Sequence, residues 1–76
     1  MLIKGDLVRV ADNAFRYFAG KLAIVEHVAH RDEYYNDQGK IAERTYYLIR
    51  LTDLDSNHVF PEEELILVSK AQNNNG

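Results

Sequence analysis

The stretch Thr45-Tyr46-Tyr47-Leu48-Ile49-Arg50-Leu51 decides the fold class, because almost every residue in it is β-branched, aromatic or aliphatic. Residues of these types favour a pleated strand over a helix. Successive side chains of a strand point to opposite faces, so Tyr47, Ile49 and Leu51 share one face. We predict a strand over residues 41–51, with Tyr46, Leu48 and Arg50 on its other face.

Four further short segments have a similar composition, and turn-forming residues separate them. The polar segments Asp32–Lys40 and Asp53–Asn57 are expected to be hairpin loops. Val28 falls out of step with Val25, which predicts a bulge or a strong bend. Pro61 and the acidic residues after it favour one helical turn. The five strands are expected near residues 6–10, 21–31, 41–51, 58–60 and 65–68.

This order of elements predicts an all-β fold in which one helical turn precedes the last strand. A chain of 76 residues has room for one domain. We expect a small five-stranded barrel over residues 1–69, with two orthogonal sheets as the other way to bury such strands. Residues 70–76 are expected to form a flexible tail. The predicted core consists of Val8, Val10, Ala23, Val25, Ile49, Leu51, Phe60 and Leu65.

The composition excludes several classes of protein. The 9 Lys and Arg against 12 Asp and Glu, with 46% hydrophobic residues, are typical of a folded soluble domain. The absence of cysteine excludes disulfides, thiolate zinc sites and a thiol nucleophile. No apolar run is long enough for a membrane span and no signal-peptide core is evident, so we expect a cytoplasmic protein.

So short a chain needs most of its apolar residues for one core, which leaves few to line a substrate pocket. No catalytic motif is present, and the carboxylates of Glu62–Glu64 lack both a nucleophile and an apolar environment that would raise their pKa. We therefore expect a protein that is not an enzyme and holds no cofactor.

The first third of the chain resembles the KOW motif. The resemblance rests on Lys4-Gly5-Asp6-Leu7-Val8-Arg9-Val10 and on Phe18-Ala19-Gly20-Lys21-Leu22-Ala23-Ile24-Val25. Gly20 permits a positive φ in the turn. Ala23 stands where the motif more often has glycine, and its small side chain keeps a close strand crossing open.

The second half resembles the closing part of Src-homology-3-like barrels, through Phe60-Pro61-Glu62-Glu63-Glu64-Leu65-Ile66-Leu67-Val68. In length and layout the chain is similar to the electron-transport accessory barrels, which include the E subunit of photosystem I and the variable chain of ferredoxin–thioredoxin reductase. The resemblance implies either docking on a redox complex or, as in KOW-type barrels, binding of RNA or of ribosomal and polymerase proteins. Fold alone does not choose between these functions.

Two groups of residues have the composition of metal ligands. His27 and His30 would point to opposite sides of a regular strand, so coordination would need a bulge and a third ligand such as His58. Residues 53–64 have oxygen ligands at the spacing of a calcium loop, but the sixth position lacks the required glycine. We therefore predict no metal site, and an Asx-rich turn followed by an acidic helical turn.

Aromatic residues outside the predicted strands indicate a contact surface. Five of the eight aromatic residues fall in two predicted loops, where exposed rings act as anchors for a partner. The alternative is that these rings pack on the barrel. The predicted partner-binding surface consists of Phe15, Arg16, Tyr17, Phe18, Arg31, Tyr34 and Tyr35.

The charge distribution favours a protein partner. Residues 1–50 hold 8 basic and 7 acidic residues, whereas residues 51–76 hold 1 and 5, and this acidic end repels a phosphate backbone. We predict an adaptor or accessory subunit that docks on a larger protein. The alternative is a KOW-type domain associated with RNA, ribosome or polymerase. Its basic edge would consist of Lys4, Arg9, Arg16, Lys21, Arg44 and Arg50.

Overall fold

Five antiparallel strands form one sheet in this structure, a computed structural model that describes residues 1–71. The order across the sheet is β4-β3-β2-β1-β5, and a 3-10 helix precedes β5. The predicted all-β fold with one helical turn before the last strand is confirmed. The elements are β1 (Leu7–Val10), β2 (Leu22–Tyr35), β3 (Ile41–Leu51), β4 (Asn57–Pro61), the 3-10 helix (Glu62–Glu64) and β5 (Leu65–Ser69).

The sheet is open in residues 1–71. Its edges are β4 and β5, and no hydrogen-bonded ladder joins them within the described chain. Closure into a barrel therefore stays a prediction. No helix of the described residues has the length and apolar character needed to cross a membrane.

The core lies on one face of the sheet, at the end where all five strands meet. Every residue predicted for it is buried: Val8, Val10, Ala23, Val25, Ile49, Leu51, Phe60 and Leu65. Leu2 and Tyr47 belong to the same cluster, and Tyr47 is the largest fully buried side chain. The prediction placed Tyr47 on the correct face of β3 but left it out of the core.

The hydroxyl of Tyr47 connects three parts of the chain. It accepts a hydrogen bond from the Leu2 amide at 3.2 Å and donates one to Glu62 Oε2, also at 3.2 Å. Burial raises the pKa of Tyr47, and the Glu62 carboxylate raises it further. The hydroxyl therefore keeps its proton, and the bond holds the 3-10 helix against β3.

Asp6 is the one buried charged side chain of the described residues. Its carboxylate accepts hydrogen bonds from the Ile3 amide at 2.9 Å and from the Ala71 amide at 2.7 Å. Gly5 makes room for this contact, because a Cβ there would lie 3.1 Å from that of Ala71. Within the tail predicted over residues 70–76, the Ala71 amide thus contacts Asp6, and residues 72–76 lie outside the described residues.

The second strand is longer than predicted. The sequence placed Asp32–Tyr35 in a loop, but β2 continues through Tyr35 and pairs with β3 as far as Ile41. Backbone pairing with β3 keeps this segment extended although its side chains are mostly polar. The predicted irregularity near Val28 is confirmed, since the register with β3 shifts both between Val25 and His27 and between Val28 and His30.

Phe60→Ala should lower the free energy of unfolding by about 3–5 kcal/mol, because it leaves a cavity beside the Tyr47 and Phe18 rings. The neighbouring variant Val59→Ala is the control. Val59 is 49% exposed, so its truncation should cost about 1 kcal/mol or less. Urea denaturation of both variants measures the difference, and equal losses would contradict the assigned core.

Asp6→Asn should make stability less dependent on pH. Burial by itself would raise the pKa of Asp6, but the hydrogen bonds from Ala71 and Ile3 outweigh it and hold the pKa below its ordinary value. The ionised carboxylate therefore stabilises the folded state. This contribution is fully present above the unfolded-state pKa of about 3.9 and is lost as the pH falls through the lower folded-state pKa.

We expect Asp6→Asn to cost about 1.5–3 kcal/mol at neutral pH, the range for hydrogen bonds to a charged group. The cost should shrink as the solution is acidified to about pH 2. Urea denaturation at a series of pH values measures it. Parallel pH curves for the wild type and the variant would show that Asp6 does not titrate as described.

Candidate functional site

The part of the β2–β3 hairpin beyond the core projects from the sheet. We call residues 30–46 the arm; it begins at the pair His30 and Tyr46. β1 contacts β2 only near its start, and β4 reaches no farther along β3 than the pairing of Pro61 with Tyr46. The arm is therefore a two-stranded ribbon, and its five residues beyond His30 extend it by about 17 Å at about 3.3 Å per residue.

The turn at the end of the arm is organised by Asn36. Its side-chain oxygen accepts hydrogen bonds from the amides of Gln38 at 2.9 Å and Lys40 at 3.0 Å. Its backbone amide donates to the Lys40 carbonyl at 2.9 Å. The asparagine side chain thus supplies the hydrogen-bond acceptor that the turn amides lack from the backbone. The loop is consequently five residues long, over 36–40, and not the nine residues predicted.

Four side chains form a continuous row on one face of the arm. The His30 ring stacks on Tyr46 with centroids 4.3 Å apart. The Arg44 guanidinium lies 4.4 Å from the centroid of the Tyr34 ring, and its Nη1 approaches the Tyr46 hydroxyl at 3.5 Å. Stacking and cation–π contacts of this kind add rigidity to a ribbon that has no core of its own.

Arg44 also attaches the arm to the rest of the molecule. Its Nη2 lies 3.5 Å from Glu63 Oε1 in the 3-10 helix. The hydrogen bond with Tyr46, followed by the charge of Glu63, raises the pKa of Arg44. The guanidinium therefore stays charged, and the 3-10 helix that Tyr47 holds against β3 also holds the arm.

The opposite face of the arm combines acidic and apolar groups. Glu33 pairs directly with Glu43 across the two strands, and Tyr35 pairs with Ile41. An open cleft of about 210 Å³ lies at the end of the arm, lined by Glu33, Tyr34, Tyr35 and Ile41. Tyr35 is 74% exposed and Ile41 62%. Two carboxylates directly opposite each other destabilise a hairpin, so this face has a composition that folding alone does not favour.

The second predicted aromatic group, in the loop between β1 and β2, divides into two parts. Phe18 is half-buried and packs on His58 and Phe60, with centroids 4.6 Å and 5.5 Å away. Phe15 and Tyr17 are 70% and 62% exposed. Phe15 and Tyr17 are thus exposed to solvent, whereas Phe18 covers one side of the core. A contact role for these rings stays a prediction.

The two aromatic groups lie apart and do not form one continuous surface. Phe18 packs on Phe60, which pairs with Tyr47, whereas Tyr34 pairs with Ala42. Those positions are five residues apart along β3, or about 17 Å. The interpretation of Tyr34 and Tyr35 as loop residues is wrong as well, because both lie in β2. Arg16 and Arg31, the two charged residues of the predicted surface, are both exposed, the first in the loop between β1 and β2 and the second in β2.

The bulge in β2 alters the histidine prediction. His27 and His30 lie opposite Leu48 and Tyr46, which share a face of β3. The bulge thus brings both histidines to one side of the strand. His58, the suggested third ligand, pairs with Ile49 on the other face, where Ser56 Oγ lies 3.0 Å from its Nε2.

The calcium-like spacing does not gather its carboxylates around one point. Asp53 binds Lys21 Nζ at 2.8 Å, while Asp55 lies 3.4 Å from Arg50 Nη1. The Lys21 hydrogen bond holds the pKa of Asp53 below its ordinary value. Within residues 1–71, no group of three or more acidic or histidine side chains is placed to hold a metal ion.

Comparisons of the chain with protein-family models, curated proteins and solved structures found no match. The resemblance to KOW motifs and Src-homology-3-like barrels therefore stays a prediction. The candidate site rests on the geometry of the arm.

Sequence reasoning identified Tyr34 and Tyr35 but missed the residues that surround them. Arg44, Glu43 and Ile41 come from the neighbouring strand and contribute to the site only through the register of the hairpin. The alternation of residues 41–46 was the available signal. A predicted second strand that continues to residue 35 would pair with residues 41–46 and place these side chains beside the tyrosines.

Tyr34→Ser should loosen the arm without unfolding the domain. Removing the ring beneath Arg44 deletes a contact of about 0.5–1 kcal/mol, which corresponds to a two- to fivefold faster amide exchange in the arm, at about 1.4 kcal/mol per tenfold. Tyr35→Ser is the matched control, since its ring is largely exposed, and it should change the exchange less. The same increase for both variants would contradict the role given to Tyr34.

Proposed function

We propose that this protein is a non-enzymatic adaptor or accessory subunit whose arm docks on a larger protein. The observation that supports this function is the cleft at the end of the arm, where Tyr35 and Ile41 are exposed next to Glu33. Glu43 is the cross-strand partner of Glu33. Exposed aromatic residues on a rigid element are typical anchors of protein interfaces. The location that we expect for such a subunit is the cytoplasm.

The chemistry of the cleft favours a cationic side chain of the partner. A lysine or arginine would offset the repulsion between Glu33 and Glu43 and could lie against the Tyr35 ring. Ile41 would contact the aliphatic part of such a side chain. The cleft volume of about 210 Å³ is below the roughly 300–1,000 Å³ of small-molecule sites, which suits one side chain better than a metabolite.

Ion pairing in the described chain disfavours the nucleic-acid alternative. Four of the nine basic side chains already lie within 4.0 Å of a carboxylate, namely Arg9, Lys21, Arg44 and Arg50. All four belong to the basic edge that a KOW-type RNA-binding domain would need. The exposed carboxylates of Glu33 and Glu43 would further repel a phosphate backbone from the arm.

Phe15 and Tyr17 form a second exposed surface near the core. Their distance from the arm allows them to contact the same partner only if its surface is broad. The arm is therefore the primary docking element in this proposal, and the loop is secondary.

Glu33→Lys should weaken capture of the partner by about tenfold or more, as expected for a change at an interface anchor. The new lysine would repel the cationic side chain of the partner. Folding should be preserved, because the lysine lies opposite Glu43 and replaces a repulsive pair by an attractive one. Asp37→Lys makes the same change of charge in the turn, outside the cleft, and serves as the control. Tagged proteins would be compared in quantitative pull-downs from the host lysate, with and without nuclease.

Binding that survives nuclease, falls with Glu33→Lys and is retained by Asp37→Lys would support the proposal. Both lysine variants would strengthen binding to a nucleic acid, since each removes a negative charge. Complete loss of partners on nuclease treatment, or equal effects of the two variants, would contradict protein docking through the cleft.

A further inference from the structure

The face of the arm that carries Arg44 shows how a tyrosine in this ribbon holds a guanidinium. Tyr34 pairs with Ala42, and the next pair along the same face is Asp32 with Arg44. The Arg44 guanidinium lies 4.4 Å from the centroid of the Tyr34 ring. Its Nη2 lies 3.5 Å from Glu63 Oε1. A tyrosine ring and a carboxylate thus hold one guanidinium on this face.

The opposite face of the arm has the same order of positions but a different charge. Tyr35 pairs with Ile41, and the next pair along this face is Glu33 with Glu43. Glu43 therefore occupies the position that corresponds to Arg44 on the other face. This face presents a tyrosine ring and two carboxylates, and it contributes no cation at the position that would lie over the ring.

The side chains of this face are accessible and their charge is not neutralised within the described chain. Tyr35 and Ile41 are largely exposed and line the cleft together with Glu33. Arg31 lies one pair nearer the core on the same face. Within residues 1–71, however, neither Glu33 nor Glu43 lies within 4.0 Å of a basic nitrogen. A cation that contacts both carboxylates therefore comes from outside these residues.

We propose that the cleft binds an arginine of the partner in preference to a lysine. This inference rests on the function proposed above and names the side chain that the partner inserts. The arginine would lie against Tyr35 as Arg44 lies against Tyr34 on the other face. Its guanidinium would contact Glu33 and Glu43, and its aliphatic part would contact Ile41.

The shape of the two cations explains the preference. A guanidinium is planar, carries five N–H donors and stacks on aromatic rings, whereas an ammonium is a compact and strongly hydrated point charge. Directly opposed residues such as Glu33 and Glu43 have Cβ atoms about 4.5–5.5 Å apart, so both carboxylates can reach one guanidinium. A lysine would gain the attraction of the carboxylates but would lose most of the stacking on Tyr35.

Two capped tripeptides, acetyl-Gly-Arg-Gly-amide and acetyl-Gly-Lys-Gly-amide, test the preference on the full chain. Titrations followed by ¹⁵N–¹H NMR should show shifts of the amides of Glu33, Tyr35 and Ile41. The lysine peptide should bind about two- to fivefold more weakly than the arginine peptide, as expected for an exposed contact between a cation and an aromatic ring. Tyr35→Leu keeps an apolar side chain but removes the ring, so it should abolish this difference.

Glu33→Gln should weaken both peptides, by up to about fivefold for the loss of one exposed ion pair. Asp37→Asn removes the same charge in the turn, outside the cleft lining, and should change neither affinity. Equal affinities of the two peptides, a preference that persists in Tyr35→Leu, or no shift at the cleft with either peptide would overturn the inference. A partner that the pull-downs show to dock through the cleft, combined with equal peptide affinities, would overturn the arginine preference and leave the proposed function standing.

Discussion

The hydrogen bond from the Tyr47 hydroxyl to Glu62 is the interaction on which the rest of this structure depends. Tyr47 fills the centre of the core, where its ring has no exposure. Its hydroxyl holds the 3-10 helix in place, and the next residue of that helix, Glu63, binds Arg44. Arg44 in turn packs over Tyr34 in the arm. One partly buried hydrogen bond is thus connected to the exposed ribbon through two further side-chain contacts.

This arrangement suits a chain with little apolar material. Three of the five strands have only four or five residues, so the sheet buries one face at one end. Leu2, Phe18 and the acidic helical turn close that end. The arm extends where no core is available. Side-chain pairs on one face of the arm and the Asn36 hydrogen bonds in its turn stabilise it in place of a core. The side chains of Glu33, Tyr35, Ile41 and Glu43 on the other face are exposed.

Much of the fold could be predicted from the sequence, because the alternation of apolar residues reports directly which face of a strand is buried. All eight predicted core residues are buried for this reason. Tyr47 was not among the predicted core residues, because a tyrosine hydroxyl is usually buried only where it has hydrogen-bond partners. Its partners, Leu2 and Glu62, are distant in sequence.

The candidate site was less predictable. Asp32 and Glu33 gave the end of the second strand the composition of a loop, although cross-strand pairing holds it extended. The opposition of Glu33 to Glu43 depends on a register that two bulges shift, and local composition does not report such shifts. Tyr34 and Tyr35 could therefore be named as candidate contact residues, whereas the residues that surround them could not.

Backbone ¹⁵N relaxation tests most directly whether the arm is a projecting ribbon that side-chain pairs hold rigid. Order parameters for residues 31–35 and 41–45 should be close to those of β1, at about 0.85. Values below about 0.6 in these segments would show a flexible hairpin. A hairpin of that kind would contradict both the chain of contacts from Tyr47 to Tyr34 and the preformed cleft.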